Sequence, residues 1–455
     1  MKATMGMLGS RKASDEAGDA MDLRTTIKML DELGELKRIE KPVRTVFDVA
    51  RFMKQFDSGP ALLFETVEGF ESKVVSGTCA TKKRVASLMH IPEGILYETI
   101  THSIAHPIAP DIKGDGPVAE TRAEPKLTTL PILKHYEKDP AQYLTSAIVS
   151  ARSADQKIEN VSMHRMMVLD DRHVVIRIVP RHLYRLCELA KRDARKTLDV
   201  AISLGLHPSV LIAASSPAPF GVSEYGVANA LMGGRLSLIQ CTKVTATAPA
   251  DSEIVLEGKI LLDKEVDEGP FVDLTGTYDV VRKQPVVEIV GMMHRREFLF
   301  QGLLPAGAEH KLLMGLPYEA RIWNTVRATV PGLNRVSLTS GGGGWLHAIV
   351  SIHKQSEGDG KAAILATFGA HPSLKHVVVV DEDIDVDNPL DVEWAIATRF
   401  RADKGLVVVD NIRSSSLDPS SDQNSQIGAK MGLDATRSFS KSKDKFEKAR
   451  IPERG

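Results

Sequence analysis

The runs YLTSAIVSAR (143–152), NVSMHRMMVL (160–169) and HVVIRIVP (173–180) decide the fold of this chain. Each is short, rich in β-branched residues and bounded by polar or proline-containing breaks, which is how strands read. Four more runs of the same kind follow: SVLIAAS (209–215), SLIQCTKV (237–244), EIVLEGKIL (253–261) and VVEIVGMMH (286–294). Helical stretches around 182–206 and 224–233 interrupt them. This pattern predicts a mainly β, barrel-like unit with inserted helices, and it fits a strictly alternating βαβ sheet less well.

On the N-terminal side, Leu23, Ile27 and Leu30 recur at helical spacing, Asp22 can cap the first turn and Gly34 stands at a helix stop. Leu36 to Val43, ALLFETV (61–67) and KVVSGTC (73–79) read as strands, and KRVASLMHI (83–91) as a helix. A Pro- and Gly-rich stretch between Ile108 and Lys134 marks a boundary. Beyond Arg321, VVVVDED (377–383) and GLVVVDN (405–411) are buried-strand candidates around a helical DVEWAIATRF (391–400). The chain is thus expected to be of mixed α/β (α+β) class. It divides into a flexible leader (1–21), an N-terminal α/β domain (22–117), a central β-barrel domain (118–320) and a C-terminal α/β domain with a polar tail (321–455).

The 455 residues are 43% hydrophobic and 26% charged, with a formal net charge of −1, so neither disorder nor a nucleic-acid-binding surface is indicated. Cys79, Cys187 and Cys241 are far apart and odd in number, which argues against disulfides and thiolate zinc and fits a reducing, cytoplasmic setting. No apolar run approaches the ~20 residues that span a bilayer. No G-x-G-x-x-G follows a strand, and P-loop, H-E-x-x-H and C-x-x-C motifs are absent. Gly341 to Gly344 lack the lysine and hydroxyl of a phosphate loop and read as a mobile turn. Ser223 only nearly matches a nucleophile elbow, since its second Gly comes one place late.

Two constellations carry chemistry. In Asp267-Glu268-Gly269-Pro270-Phe271-Val272-Asp273, the Gly-Pro pair bars regular structure and can fold the backbone so that Glu268 and Asp273 point into one cavity as an acid/base pair. A solvated acidic turn is the plainer alternative. In Asn160-Val161-Ser162-Met163-His164-Arg165, strand alternation sets Asn160, Ser162 and His164 on one face and Arg165 on the other. Asn160 can offer its amide oxygen to a hard cation, Arg165 can grip a carboxylate, and His182 with Glu224 would complete a mixed N/O set. Taken singly, each residue reads more readily as a satisfied polar side chain.

Their joint order resembles the UbiD-like family of prenylated-FMN-dependent decarboxylases, from about residue 22 to 437. Asn160 to Arg165 match its N-x-[SA]-x-x-R strand, His182 its post-strand histidine, and Glu224 its G-V-S-E segment. Glu268 to Asp273 match E-G-P-F-x-[ED], Lys375 stands before HVVVVDEDID, and Lys430 to Thr436 match K-M-G-[IL]-D-A-T. The resemblance implies a three-domain fold with a central split β-barrel that binds prenylated FMN as the electron sink for CO2 loss. It implies Arg165, Glu268 and Asp273 as catalytic residues, and Asn160, His182 and Glu224 as ligands of Mn2+ or Mg2+, with K+ nearby. Ser162, Arg165, Arg181, His182, Ser215, Glu224 and Lys375 would contact the cofactor, which a flavin prenyltransferase would supply.

The segment LLPAGAEHKLLMGLPY (303–318) resembles the specificity segment of heteroaromatic-acid members, which makes His310, Leu313 and Tyr318 pocket candidates and speaks against a second carboxylate at Tyr318. The substrate expected is a pyrrole-, furan- or indole-type monoacid, with phenolic, acrylic and phosphorylated unsaturated acids left open. A catalytically silent flavin- or metal-binding subunit or carrier is the alternative class. The polar tail from Ser414, with scattered apolar anchors at Met431, Leu433, Phe439 and Phe446, is expected to serve assembly into a homodimer or larger oligomer.

Overall fold

The computed structural model describes residues 20–422, 425–449 and 451, so nearly all of the expected leader lies outside the described residues. At the centre, six strands close into an antiparallel barrel: Tyr143–Arg152, Glu159–Val168, His173–Ile176, Thr197–Leu204, Ile254–Glu268 and Arg282–His294. Closure comes from the two longest strands, which pair from Ile254↔His294 to Glu268↔Arg282 and complete the six-strand ring, with the short strand Thr121–Ala123 added alongside Arg282–His294. Alternate residues such as Val149, Val200, Ile202, Leu256 and Val287 are fully buried in one core. A barrel on this scale has an interior that side chains can fill.

Two stretches differ from their sequence reading. SVLIAAS lies within a helix, Pro208–Ala214, not a strand. Every residue of that helix is buried, so its apolar run has no period to betray it, whereas Pro208 at the first helical position and the His207 ring, which accepts from the Ser209 N–H at 3.2 Å, fix the start. The stretch read as helical over 182–206 is helix only for His182–Arg192. Its remainder holds the barrel strand Thr197–Leu204, where Leu198, Val200, Ile202 and Leu204 alternate with period two.

The N-terminal helix Leu23–Glu32 begins with a capping box between Asp22 and Thr25. Beside it a four-stranded sheet runs Leu36–Ile39, Ala61–Phe64, Val74–Ser76 and Phe300–Gln301, so its last strand comes from beyond the barrel. Helix Ala308–Thr329 then leads to a five-stranded C-terminal sheet ordered Leu333–Leu338, His347–Ile352, His376–Asp381, Ile427–Ala435, Leu406–Arg413. Ile427–Ala435 corrects the expectation of a tail laid along another subunit. It is an inner strand of its own sheet, parallel to His376–Asp381 and antiparallel to Leu406–Arg413. Among the described residues, no helix is long and apolar enough to cross a membrane.

Candidate active site

Arg165 projects from the barrel strand Glu159–Val168 and is 10% exposed. Its Nε and Nη2 donate to Glu268 Oε1 and Oε2, both at 2.9 Å, a bidentate grip. Its Nη1 donates to Asp273 Oδ2 at 3.1 Å, and Nη2 also reaches Asp279 Oδ2 at 3.4 Å. Glu268 ends the long strand Ile254–Glu268, and Gly269 at φ +97° turns the chain into a hairpin that pairs Phe271 with Asp279. The Phe271 ring lies 4.4 Å from the guanidinium carbon. Burial alone would lower the Arg165 pKa, but the hydrogen bond to Glu268 and the charges of Glu268, Asp273 and Asp279 outweigh it and hold the pKa above its usual value.

Asp279 is a member of this network that the motif reading did not single out. It meets Arg165, Arg282 at 2.5 Å and Arg177 at 4.0 Å. Burial raises its pKa, yet the Arg282 hydrogen bond and the nearby arginines prevail and lower it overall. A signal for it existed: Gly276 between VDLT and TYDV predicts a hairpin turn, and pairing outward from that turn sets position 279 opposite 271.

On the other side of the same strand, Asn160 Nδ2 donates to Glu224 Oε1 at 3.2 Å, and the Val161 N–H donates to Oε2 at 2.7 Å. His182 Nδ1 lies 3.8 Å from Glu224 Oε1. Asn160, His182 and Glu224 therefore come together. Glu224 is 3% exposed with no lysine or arginine partner among the described residues, and burial raises its pKa. A carboxylate so placed fits a cation. No group of three or more His, Cys, Asp or Glu side chains suited to a metal forms among the described residues, so a cation here would need the Asn160 amide oxygen. The Ser162 hydroxyl lies 3.0 Å from Asn160 Oδ1 and 2.9 Å from His164 Nε2, while His164 Nδ1 faces the Arg177 carbonyl at 2.8 Å. Burial pulls the His164 ring down to about 4. Neutral His164, donating through Nδ1, leaves Nε2 as an acceptor, so one hydroxyl proton faces two acceptors. A cation on Asn160 Oδ1 would free Ser162 for the ring.

The other candidates are more scattered. Arg181 is exposed at the N-cap of helix His182–Arg192, with its guanidinium carbon 5.9 Å from the Trp345 ring. The Ser215 hydroxyl donates to its own helix at Leu211 O. Lys375 is not brought to the barrel: its ammonium contacts Asp418 at 3.0 Å and Ser420, both in the C-terminal unit. His310 accepts from the Ala306 N–H at 3.1 Å; burial lowers its pKa, and the charges of Asp273 and Arg165 act on it. Leu313 is buried in another core cluster. Tyr318 is packed between Trp345 and His371, at ring separations of 4.7 and 4.3 Å, in the C-terminal core.

Three family models match in succession: the N-terminal domain of 3-octaprenyl-4-hydroxybenzoate carboxy-lyase (27–104), its Rift-related domain (111–308) and its C-terminal domain (311–435). The chain belongs to the UbiD family. It shares the fold of that family, with its closed six-strand barrel, and it is a carboxy-lyase. The structure of the UbiD-class enzyme HmfF from Pelotomaculum thermopropionicum in complex with FMN is 38% identical, with a TM-score of 0.92, covering 95% of this chain and 97% of that one. Anhydromevalonate phosphate decarboxylase of Methanothermobacter thermautotrophicus is 41% identical over 92% of this chain and 98% of its own. Its namesake from Methanosarcina mazei is 42% identical over 95% and 100%. The decarboxylases among these relatives are named for anhydromevalonate phosphate and not for a pyrrole-, furan- or indole-type monoacid, and nothing supports a silent subunit.

Proposed function

We propose that this UbiD-family chain decarboxylates a phosphorylated α,β-unsaturated acid of the anhydromevalonate phosphate type, with Arg165, Glu268 and Asp273 as catalytic residues. The observation that carries this reading is one buried guanidinium that holds both candidate catalytic acids, Glu268 at 0% and Asp273 at 21% exposure. It stands in a chain 41% and 42% identical to two decarboxylases of that name. Asp273 engages a single nitrogen of Arg165 and is the more exposed acid, so that side of the fork can seat the substrate carboxylate. Glu268, sealed from water, takes up a proton and delivers it to the carbon that CO2 leaves.

Prenylated FMN, when bound, supplies the electron sink that decarboxylation at an sp2 carbon requires. Helix His182–Arg192 starts without a side-chain cap and without an acid in its first turn, so its free N–H groups, with Arg181 and His182, fit the cofactor phosphate. Ser162 and Ser215 are weaker contacts. Asn160, His182 and Glu224 would hold Mn2+ or Mg2+, offsetting the buried Glu224 charge, with K+ close by. A flavin prenyltransferase as supplier, a cytoplasmic setting and a homodimer or larger oligomer complete the proposal.

The test is to co-express the full chain with a flavin prenyltransferase, record the flavin spectrum, and measure CO2 release from the phosphorylated acid and from its dephosphorylated form. The phosphorylated acid should be favoured at least ~10-fold in kcat/KM, since a site built for a polar group rejects the analogue lacking it. Equal rates, or no CO2 from flavin-loaded protein, would sink the proposal.

A further inference from the structure

Leu274 follows Asp273 directly, yet its side chain does not join the barrel core. It is 1% exposed and lies in the C-terminal cluster with Tyr318, Ile322, Val326 and Trp345. Its backbone N–H donates to Asp273 Oδ1 at 2.7 Å, while Asp273 Oδ2 accepts from Arg165 at 3.1 Å. One carboxylate is therefore held from two sides, by the barrel's arginine and by a residue rooted in the other unit. The loop itself is closed by Asp273 N–H to Thr277 O at 3.1 Å and Gly276 N–H to Asp273 O at 2.7 Å.

The four-glycine run supplies the backing. Gly343, at φ +72°, sits so close that a Cβ there would meet the Leu274 carbonyl oxygen at 3.0 Å. A Cβ on Gly344 would meet Lys311, at the start of helix Ala308–Thr329, also at 3.0 Å. The run expected to be a mobile turn is packed against the segment that carries the second acid.

We infer that Leu274, seated in the C-terminal core and backed by Gly343, is a positioning residue that sets the Asp273 carboxylate against Arg165. The inference rests on the reading of Asp273 as a catalytic acid. Glu268 needs no such anchor, because its own strand is paired to Arg282 and both its oxygens are gripped by Arg165. Asp273 has one bond to Arg165, and a misplacement of about 1 Å at such a group costs on the order of 100-fold in rate.

Kinetics of the flavin-loaded full chain test it. Leu274→Ala should lower kcat on the order of 100-fold while KM stays within ~3-fold, and Leu274→Met should recover most of the loss. Gly343→Ala keeps the Leu274 side chain and should repeat the kcat loss, which covers the case that Leu274→Ala fails to fold. In an Asp273→Asn background, Leu274→Ala should add nothing, because both act through one carboxylate. Wild-type kcat in Leu274→Ala or Gly343→Ala, or an undiminished further loss in the Asp273→Asn background, would overturn the inference. If Asp273→Asn alone turns over normally, the reading of Asp273 fails instead. A crystal structure of Leu274→Ala or Gly343→Ala then decides the anchor: a separated Asp273–Arg165 pair upholds it and an intact pair overturns it.

Discussion

Glu268 and Asp273 share one arginine but sit in unequal surroundings, and their replacement should separate two effects. Glu268→Gln should keep the flavin spectrum while steady-state decarboxylation falls at least ~100-fold, the usual contribution of a general acid; near-normal turnover would remove Glu268 from the chemistry. Asp279→Asn leaves Arg165, Arg177 and Arg282 around a neutral amide and should destabilise the fold by about 3 kcal/mol, read by urea unfolding at neutral pH. Because the folded pKa of Asp279 is lowered, its stabilisation is present above the unfolded value near ~3.9 and is lost as pH falls through the folded value. The gap between variant and wild type should therefore close in strong acid. The sequence pointed to Glu268 and Asp273 through a glycine-proline break beside acids and to Arg165 through strand alternation, and the joint order of the motifs tied the three together. Asp279 was legible only through the register of a hairpin, and the contacts of Lys375 with Asp418 and Ser420 were not legible because those partners lie more than forty residues away in the chain.

Between residue and domain, the elements were legible where their period was clean and obscure where it was not. Leu23–Glu32 announced itself through spacing and cap, whereas Pro208–Ala214, buried on every side, offered no face to read. The strand Ile427–Ala435 hid because IGAKMGLDA carries much polarity, whereas LVVVDNIR, expected as a buried strand, is the last strand of the sheet and has no buried residue. Helix Asp359–Ala370 lies so close to that strand that a Cβ on Gly432 would come within 2.3 Å of Ile364 Cγ2. Gly432→Ala should therefore cost about 1–3 kcal/mol, the usual range for overpacking, measurable as a fall in the urea midpoint. Ending the chain at Asn411 should leave the sheet without an inner strand and yield aggregated or protease-sensitive protein, rather than a folded chain altered only in assembly. A well-folded truncation would contradict this account of the tail.

Across the whole molecule, several imidazoles are buried in their neutral form. Burial pulls His135 and His371 down to about 3 and His207 to about 4. An unfolded histidine titrates near ~6.5, so between that value and the folded one the unfolded chain binds more protons. Stability from these groups is complete above ~6.5 and is lost as pH falls toward the folded values. Melting temperature should thus decline between pH 6.5 and 5, and His371→Phe, whose ring would lie among Tyr318 and Trp345, should flatten that decline. An unchanged slope would show that His371 titrates alike in both states. The strand Phe300–Gln301, which completes the N-terminal sheet against Val74–Ser76, bears on how the chain is made. At ordinary elongation rates the ribosome needs on the order of ten to tens of seconds to travel from the one strand to the other. The earliest-made part of the protein must therefore wait, with one sheet edge open, until the barrel that follows it has emerged. For the same reason an N-terminal fragment expressed as a separate gene would lack that strand, and recombination that exchanges only the front of such a gene would join halves of a sheet that had never been selected together.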